Sequence, residues 1–119
     1  MSNENQNVPT IISKGKILTQ NWNAWNDLMP PKPNHINVVG EVQVGNPGIL
    51  AQLNPKVPQG INPTILMLDL HLVQQPGIWP QHVTFAQARY TKIENGKYGE
   101  VAIYFGGTEI AKIQVKDVF

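Results

Sequence analysis

Proline and glycine are frequent in this chain and fall largely into a few short clusters. Its 119 residues include ten of each, and the clusters read PPKP (30–33), NPG (46–48), NPKVPQGINP (54–63) and QPGIWP (75–80). Because proline lacks a backbone donor and glycine frees φ, such clusters predict loops and turns. The segments between them are short, and none longer than about ten residues has the 3.6-residue apolar period of a helix. The chain is therefore restricted to short extended segments joined by turns.

Two of these segments alternate in polarity, which is the pattern of a β-strand with one buried face. In HINVVGEVQV (35–44), every second residue from the isoleucine onward is apolar or glycine. In ILMLDLHLV (65–73), leucine holds every second position, and the opposite face carries Met67, Asp69 and His71. Both segments are predicted to lie in sheets that cover one core.

The C-terminal part of the chain predicts three strands joined by tight turns. The strands are TFAQARYTKI (84–93), YGEVAIYF (98–105) and TEIAKIQV (108–115). Asn95-Gly96 is a strong signal for a hairpin between the first two, and Gly106-Gly107 turns the chain again. We expect an antiparallel meander, with the last strand as an exposed edge because its lysines alternate.

Further strands near 11–19 and 49–54 bring the total to about seven. Turn signals recur at roughly the spacing that is typical of β-sandwiches. The sequence therefore predicts an all-β fold, a single-domain antiparallel β-sandwich of about seven strands, with a small β-barrel as the alternative. Residues 1–10 are expected to form a flexible N-terminal tail and residues 11–119 the domain. The chain has no cysteine, so this domain has neither disulfides nor thiolate metal sites.

Charge is sparse and balanced, with nine Lys or Arg against eight Asp or Glu and a net charge of +1. So little positive charge argues against binding to nucleic acid or to an anionic membrane surface. The start, MSNENQNVP, lacks the basic and apolar regions of a secretory signal, and the longest apolar run, ILML (65–68), is too short to span a bilayer. We expect a soluble, cytoplasmic protein.

The segment NWNAWNDLMPP (21–31) holds two of the three tryptophans. Asn21 is expected to begin one helical turn with Trp22 and Trp25 on the same side, and the double proline to end it. The two indoles would either close an open end of the core or form a surface on which a sugar stacks. In the second case Asp27 and the neighbouring asparagines would supply hydrogen bonds to the sugar.

The third tryptophan, Trp79, lies between prolines in the loop sequence PGIWPQ. A tryptophan with so little conformational freedom would either anchor a binding partner or hold its own loop against the domain.

Few residues suggest catalysis. Asp69 and His71 alternate on one strand face, a spacing that can place two ligands on one metal ion. Cysteine is absent, Ser2 and Ser13 lack the sequence of a nucleophile elbow, and no Gly-rich phosphate loop follows a strand. The sequence indicates no catalytic residue and no cofactor.

The runs GINPTILMLDLHLVQQPGIWPQ (60–81) and WNAWNDLMPP (22–31) resemble a pattern in short bacterial proteins of unassigned role and probable β-sandwich fold. The resemblance covers the chain from about residue 15 onward and implies a self-contained domain without implying an activity. The leading hypothesis is a non-enzymatic interaction module that binds another protein or a second copy of itself. A carbohydrate-binding module that uses Trp22, Trp25 or Trp79 is the alternative, and a metal-dependent enzyme on Asp69 and His71 is a third.

Overall fold

A computed structural model describes residues 10–12, 17–94 and 96–119 of the chain. Within these residues every regular element is a β-strand, so the all-β prediction is confirmed. The strands are β1 (Thr10–Ile12), β2 (Thr19–Asp27), β3 (His35–Val44), β4 (Ile49–Pro55), β5 (Ile65–Gln74), β6 (Thr84–Ile93), β7 (Glu100–Phe105) and β8 (Thr108–Val118).

Seven of the strands form one continuous sheet in the order β4-β5-β7-β8-β2-β3-β6. The short β1 pairs with the end of β5, beyond the stretch of β5 that pairs with β7. The two outer strands, β4 and β6, lie beside each other, and no pairing joins them in the described part of the chain. The sheet is therefore a nearly closed barrel, which corresponds to the small β-barrel that the sequence left as the alternative. We call the line between β4 and β6 the seam.

The strand directions place the loops at two ends of the barrel. The top holds the β3–β4 connection (45–48), the β5–β6 connection (75–83) and the turn between β7 and β8. The bottom holds the β2–β3 connection (28–34), the β4–β5 connection (56–64), and Glu94 with residues 96–99. We call this last set the bottom loop.

The barrel interior is filled by the alternating residues that the sequence pattern predicted. All four alternate leucines of β5 are buried, as are Ile36, Val38, Val42 and Val44 of β3. Burying one such side chain contributes about 1.5–3 kcal/mol, so these two strands supply much of the stability.

The predicted hairpin between 84–93 and 98–105 is wrong. All ten residues of β6 pair with β3, whereas β7 lies between β5 and β8. Three consecutive β7 residues, Val101, Ala102 and Ile103, are buried, so both faces of this strand are covered, which is typical of a strand inside a sheet. Asn95 of the predicted turn lies outside the described residues.

The turn at Gly106-Gly107 is confirmed, because it joins the antiparallel strands β7 and β8 and both glycines have positive φ, 60° and 86°. The expected exposed edge at β8 is wrong, since β8 pairs with β7 on one side and with β2 on the other. Most pairs are antiparallel, as predicted, but β2 with β8 and β5 with β7 are parallel.

Candidate functional site

The tryptophan segment is a strand with a β-bulge, so the predicted helical turn is wrong. Gln20 pairs with Glu41, but Asn23 pairs with Val39, which leaves two β2 residues opposite Gly40. Asn21 provides the extra residue and has a φ of 56°, a left-handed conformation that asparagine adopts more readily than most residues. Because the extra residue lies between them, Thr19 and Trp22 both face the barrel interior, and Trp25, three residues after Trp22, points out of it.

Trp22 lies against the core, directly over Gly40. A Cβ atom added to Gly40 would lie 2.2 Å from Cε3 of the indole, so only glycine leaves room for the ring. The indole Nε1 donates a hydrogen bond of 2.9 Å to the Thr19 hydroxyl, which faces the same way. Trp22 is half-buried: it packs against the hydrophobic cluster, and with Ala24 and Lys112 it also lines a cavity of about 320 Å³.

Trp25 is half-buried on the outer face, in a row of side chains that crosses four strands. The register places Lys116 of β8 on one side of it, and Asn37 of β3 and Thr91 of β6 on the other. The Thr91 hydroxyl donates to Asn37 Oδ1 at 3.0 Å, which fixes the amide next to the indole. We call these four residues the Trp25 row.

Asp27 ends β2 on the same outer face as Trp25. Its Oδ1 accepts a 3.1 Å hydrogen bond from the Met29 backbone N–H, so the carboxylate turns the chain out of the strand. This contact gives Asp27 a structural role at the bottom of the barrel.

Glu41, which the sequence did not single out, organises the outer face nearer the top. Its Oε1 accepts hydrogen bonds from Gln20 Nε2 (2.9 Å) and Asn21 Nδ2 (2.7 Å), and its Oε2 accepts one from Gln87 Nε2 (3.0 Å). The hydrogen bonds from Gln20, Gln87 and Asn21 lower the pKa of the Glu41 carboxyl. The network joins β2, β3 and β6, so three amides are held in fixed orientations beside the bulge.

Trp79 holds its own loop in place. Its Nε1 donates to the Gln75 carbonyl at 3.1 Å, and a Cβ atom added to Gly48 would lie 2.3 Å from the indole. The ring therefore joins the β5–β6 loop to the start of β4. The neighbouring Ile78 is 96% exposed.

Large apolar side chains are exposed at the top of the seam. They are Leu50 of β4 (45% exposed), Ile78 (96%) and Val83 (65%) of the loop, and Phe85 of β6 (41%). The topology places them at the same end of the seam, because the loop joins the end of β5 to the start of β6, beside the start of β4. We call these four residues the seam patch, a type of surface that often marks an interaction site.

The proposed metal-ligand pair lies on the outer face of β5, and each member has another partner. Asp69 Oδ1 lies 4.0 Å from Lys56 Nζ, and His71 Nδ1 lies 3.4 Å from Asn54 Nδ2. Across the described residues, no group of three or more His, Cys, Asp or Glu side chains could hold a metal ion.

A second polar cluster that the sequence did not indicate lies at the bottom of the barrel. Asn26 of β2 is 1% exposed, and its Nδ2 donates to the Tyr98 carbonyl (3.0 Å) and to Asp117 Oδ1 (2.9 Å). Lys97 Nζ lies 2.9 Å from the other Asp117 oxygen. Glu94, 8% exposed, accepts a 3.4 Å hydrogen bond from the Tyr98 N–H. The cluster attaches the bottom loop to β2 and β8.

A search of the described ranges finds no helix with the length and apolar character needed to cross a membrane. Comparison with protein-family models, with curated proteins and with solved structures finds no match to this chain.

Proposed function

We propose that the protein is a non-enzymatic interaction module that binds another protein surface through the seam patch. The observation that carries the proposal is the exposure of four large apolar side chains at one end of the seam. A second copy of the chain is the simplest partner, because a two-fold symmetric pair would cover the patch on both copies at once.

The size of the patch predicts weak association. Each large apolar side chain gives about 1.5–3 kcal/mol when it is fully buried, and these four are already partly covered. Association costs at least about 4 kcal/mol in lost motional freedom. The balance favours a micromolar dimer that dissociates on dilution.

The arrangement of the polar side chains supports binding rather than catalysis. Glu41 accepts three amide donors, and Asp27 and Asp117 are held by hydrogen bonds from Met29 and Asn26. Such contacts fix surface geometry and do not place a base beside a nucleophile.

Sedimentation velocity of the wild-type chain and of two matched variants tests the proposal. Ile78→Asp puts a charge into the seam patch, and Ile61→Asp puts the same charge on an equally exposed isoleucine in the β4–β5 loop at the bottom. We expect the wild-type chain and Ile61→Asp to dimerise as concentration rises and Ile78→Asp to remain monomeric. A monomeric wild-type chain at about 1 mM, or equal behaviour of the two variants, would contradict self-association through this patch.

A carbohydrate-binding module remains the second candidate, and the Trp25 row is the observation that favours it. A half-exposed indole beside an oriented amide and an ammonium group offers the stacking and hydrogen bonding that a sugar ring requires. Trp22 and Trp79 do not share this surface, because one lies against the core and the other pins a loop.

Affinity electrophoresis in gels that contain neutral polysaccharides tests this second candidate. We expect Trp25→Ala to abolish retardation and Trp79→Ala to retain it, since only Trp25 lies in the row. If the wild-type chain is not retarded, or if Trp25→Ala is retarded as much as the wild-type chain, the Trp25 row is excluded as a sugar site.

A further inference from the structure

Two buried acceptor atoms at the bottom of the barrel have no hydrogen-bond partner among the described residues. They are Asn26 Oδ1 and Glu94 Oε2. Both side chains contact the same residue, because the Tyr98 N–H donates to Glu94 Oε1 and the Tyr98 carbonyl accepts from Asn26 Nδ2. Two unpaired buried acceptors beside one residue are unfavourable unless a donor lies between them.

The amide of Asn26 cannot supply that donor. Its Nδ2 already donates to two oxygens, Tyr98 O and Asp117 Oδ1, so exchanging its nitrogen and oxygen would place an oxygen against two acceptors. The carboxyl group of Glu94 can supply a donor if it carries a proton. We propose that the Glu94 carboxyl is protonated in this arrangement and donates to Asn26 Oδ1, forming a latch that holds the bottom loop against β2 and opens as the pH rises.

The surroundings of Glu94 favour the protonated form. Burial raises the pKa of this carboxyl, and the Asp117 carboxylate of β8 raises it further. The Tyr98 hydrogen bond, His35 of β3 and Lys97 of the loop oppose that rise in pKa but do not reverse it.

The latch closes one wall of a cavity of about 370 Å³ at the lower end of the seam. Glu94, Lys92 and Tyr98 line this cavity together with Pro63 of the β4–β5 loop. Tyr98 also packs against the hydrophobic cluster, so release of the bottom loop would open the barrel interior to this cavity.

The sign of the stability change follows from the raised pKa. A glutamate whose pKa is higher in the folded state stabilises the fold fully below the unfolded pKa, about 4.3, and this stability is lost as the pH rises through the folded pKa. Glu94→Gln keeps an N–H donor for Asn26 at every pH and should remove that loss. Glu41→Gln is the matched control, because the pKa of Glu41 is lowered and its contribution has the opposite sign.

Carboxyl ¹³C NMR of the full wild-type chain, titrated from about pH 3 to pH 9, is the direct test. We expect the Glu94 midpoint to lie above those of the other glutamates, and a midpoint at or below the ordinary glutamate range would overturn the proposal. This measurement needs no variant, so it decides the question even if Glu94→Gln fails to fold.

Two further readouts follow the latch itself. Hydrogen exchange of the Tyr98 amide, corrected for its intrinsic pH dependence, should lose protection above the midpoint in the wild-type chain and keep it in Glu94→Gln. Urea midpoints of the two proteins should converge in acid and diverge at higher pH. Parallel urea curves, or Tyr98 protection that does not change across the midpoint, would show that no proton holds the loop.

Discussion

The contact between Trp22 and Gly40 gives a sharp test of how the barrel is packed. Alanine at position 40 would place a methyl group 2.2 Å from Cε3 and 2.5 Å from Cδ2 of the indole. Non-bonded carbons need about 3.5 Å, so the ring would have to move by more than about 1 Å. Overpacking of a core costs about 1–3 kcal/mol, and partial loss of the buried indole surface adds to this. We expect Gly40→Ala to lower the free energy of unfolding by about 2–4 kcal/mol.

A second substitution separates the clash from other effects of alanine. In a Trp22→Ala background the added methyl has space, and alanine is favoured over glycine within a strand by about 0.5–1 kcal/mol. Gly40→Ala should therefore be neutral or slightly stabilising there. Gly45→Ala is the matched control in the otherwise unchanged chain, because an added Cβ at Gly45 meets no atom within 4 Å.

Urea unfolding followed by far-ultraviolet circular dichroism measures all four variants, since this signal does not depend on the tryptophan that is removed. If Gly40→Ala is as stable as the wild-type chain, or loses as much stability without the Trp22 indole as with it, the packing argument is refuted.

Three other substitutions test separate features. The Gln59 side-chain amide accepts from the Met67 N–H (2.9 Å) and donates to the Met67 carbonyl (2.8 Å). Gln59→Ala should therefore lower the free energy of unfolding by about 1–2 kcal/mol and expose the Met67 amide to hydrogen exchange. Unchanged exchange would contradict this. Asn21→Val should cost about 1–2 kcal/mol more than Asn21→Gly, because only glycine tolerates the φ of 56° without strain; equal urea midpoints would refute the strain. Since the pKa of Glu41 is lowered, the wild-type chain should lose stability relative to Glu41→Gln as the pH falls through that pKa. If the stabilities of the two proteins change in parallel with pH, the amide network does not stabilise the carboxylate.

The strands were predictable from sequence wherever one face of a strand meets the core. The alternation in 35–44 and 65–73 located β3 and β5 closely, because period two is fixed by backbone geometry. The pairing partners of the strands were harder to predict from sequence. An Asn-Gly turn is a local preference, and it was outweighed by the burial of three consecutive residues in β7 and by ten pairs between β3 and β6. The unbroken apolar run of β7 was the available signal for an interior, parallel-paired strand.

The side-chain sites were harder to predict than the strands. A buried asparagine, Asn26, interrupts the apolar alternation of β2, and the bulge at Asn21 shifts its register, so the segment resembled a capped turn. Glu41 and Glu94 became recognisable only when strands distant in sequence placed amide and carboxylate groups next to them. The spacing of Asp69 and His71 correctly predicted that both side chains lie on one face of a strand. The sequence could not show that Lys56 lies beside Asp69 and that Asn54 lies beside His71.

The parallel pairing of β2 with β8 constrains when the chain can fold during synthesis. Residues 24–27 hydrogen-bond with residues 115–118, so the sheet cannot be completed until almost all of this sequence has emerged from the ribosome. Before that point, pairs such as β2 with β3 and β3 with β6 can form, but β8 is missing from the middle of the sheet. Until residues 115–118 are available, a nascent chain therefore presents unpaired strand edges that chaperones can recognise.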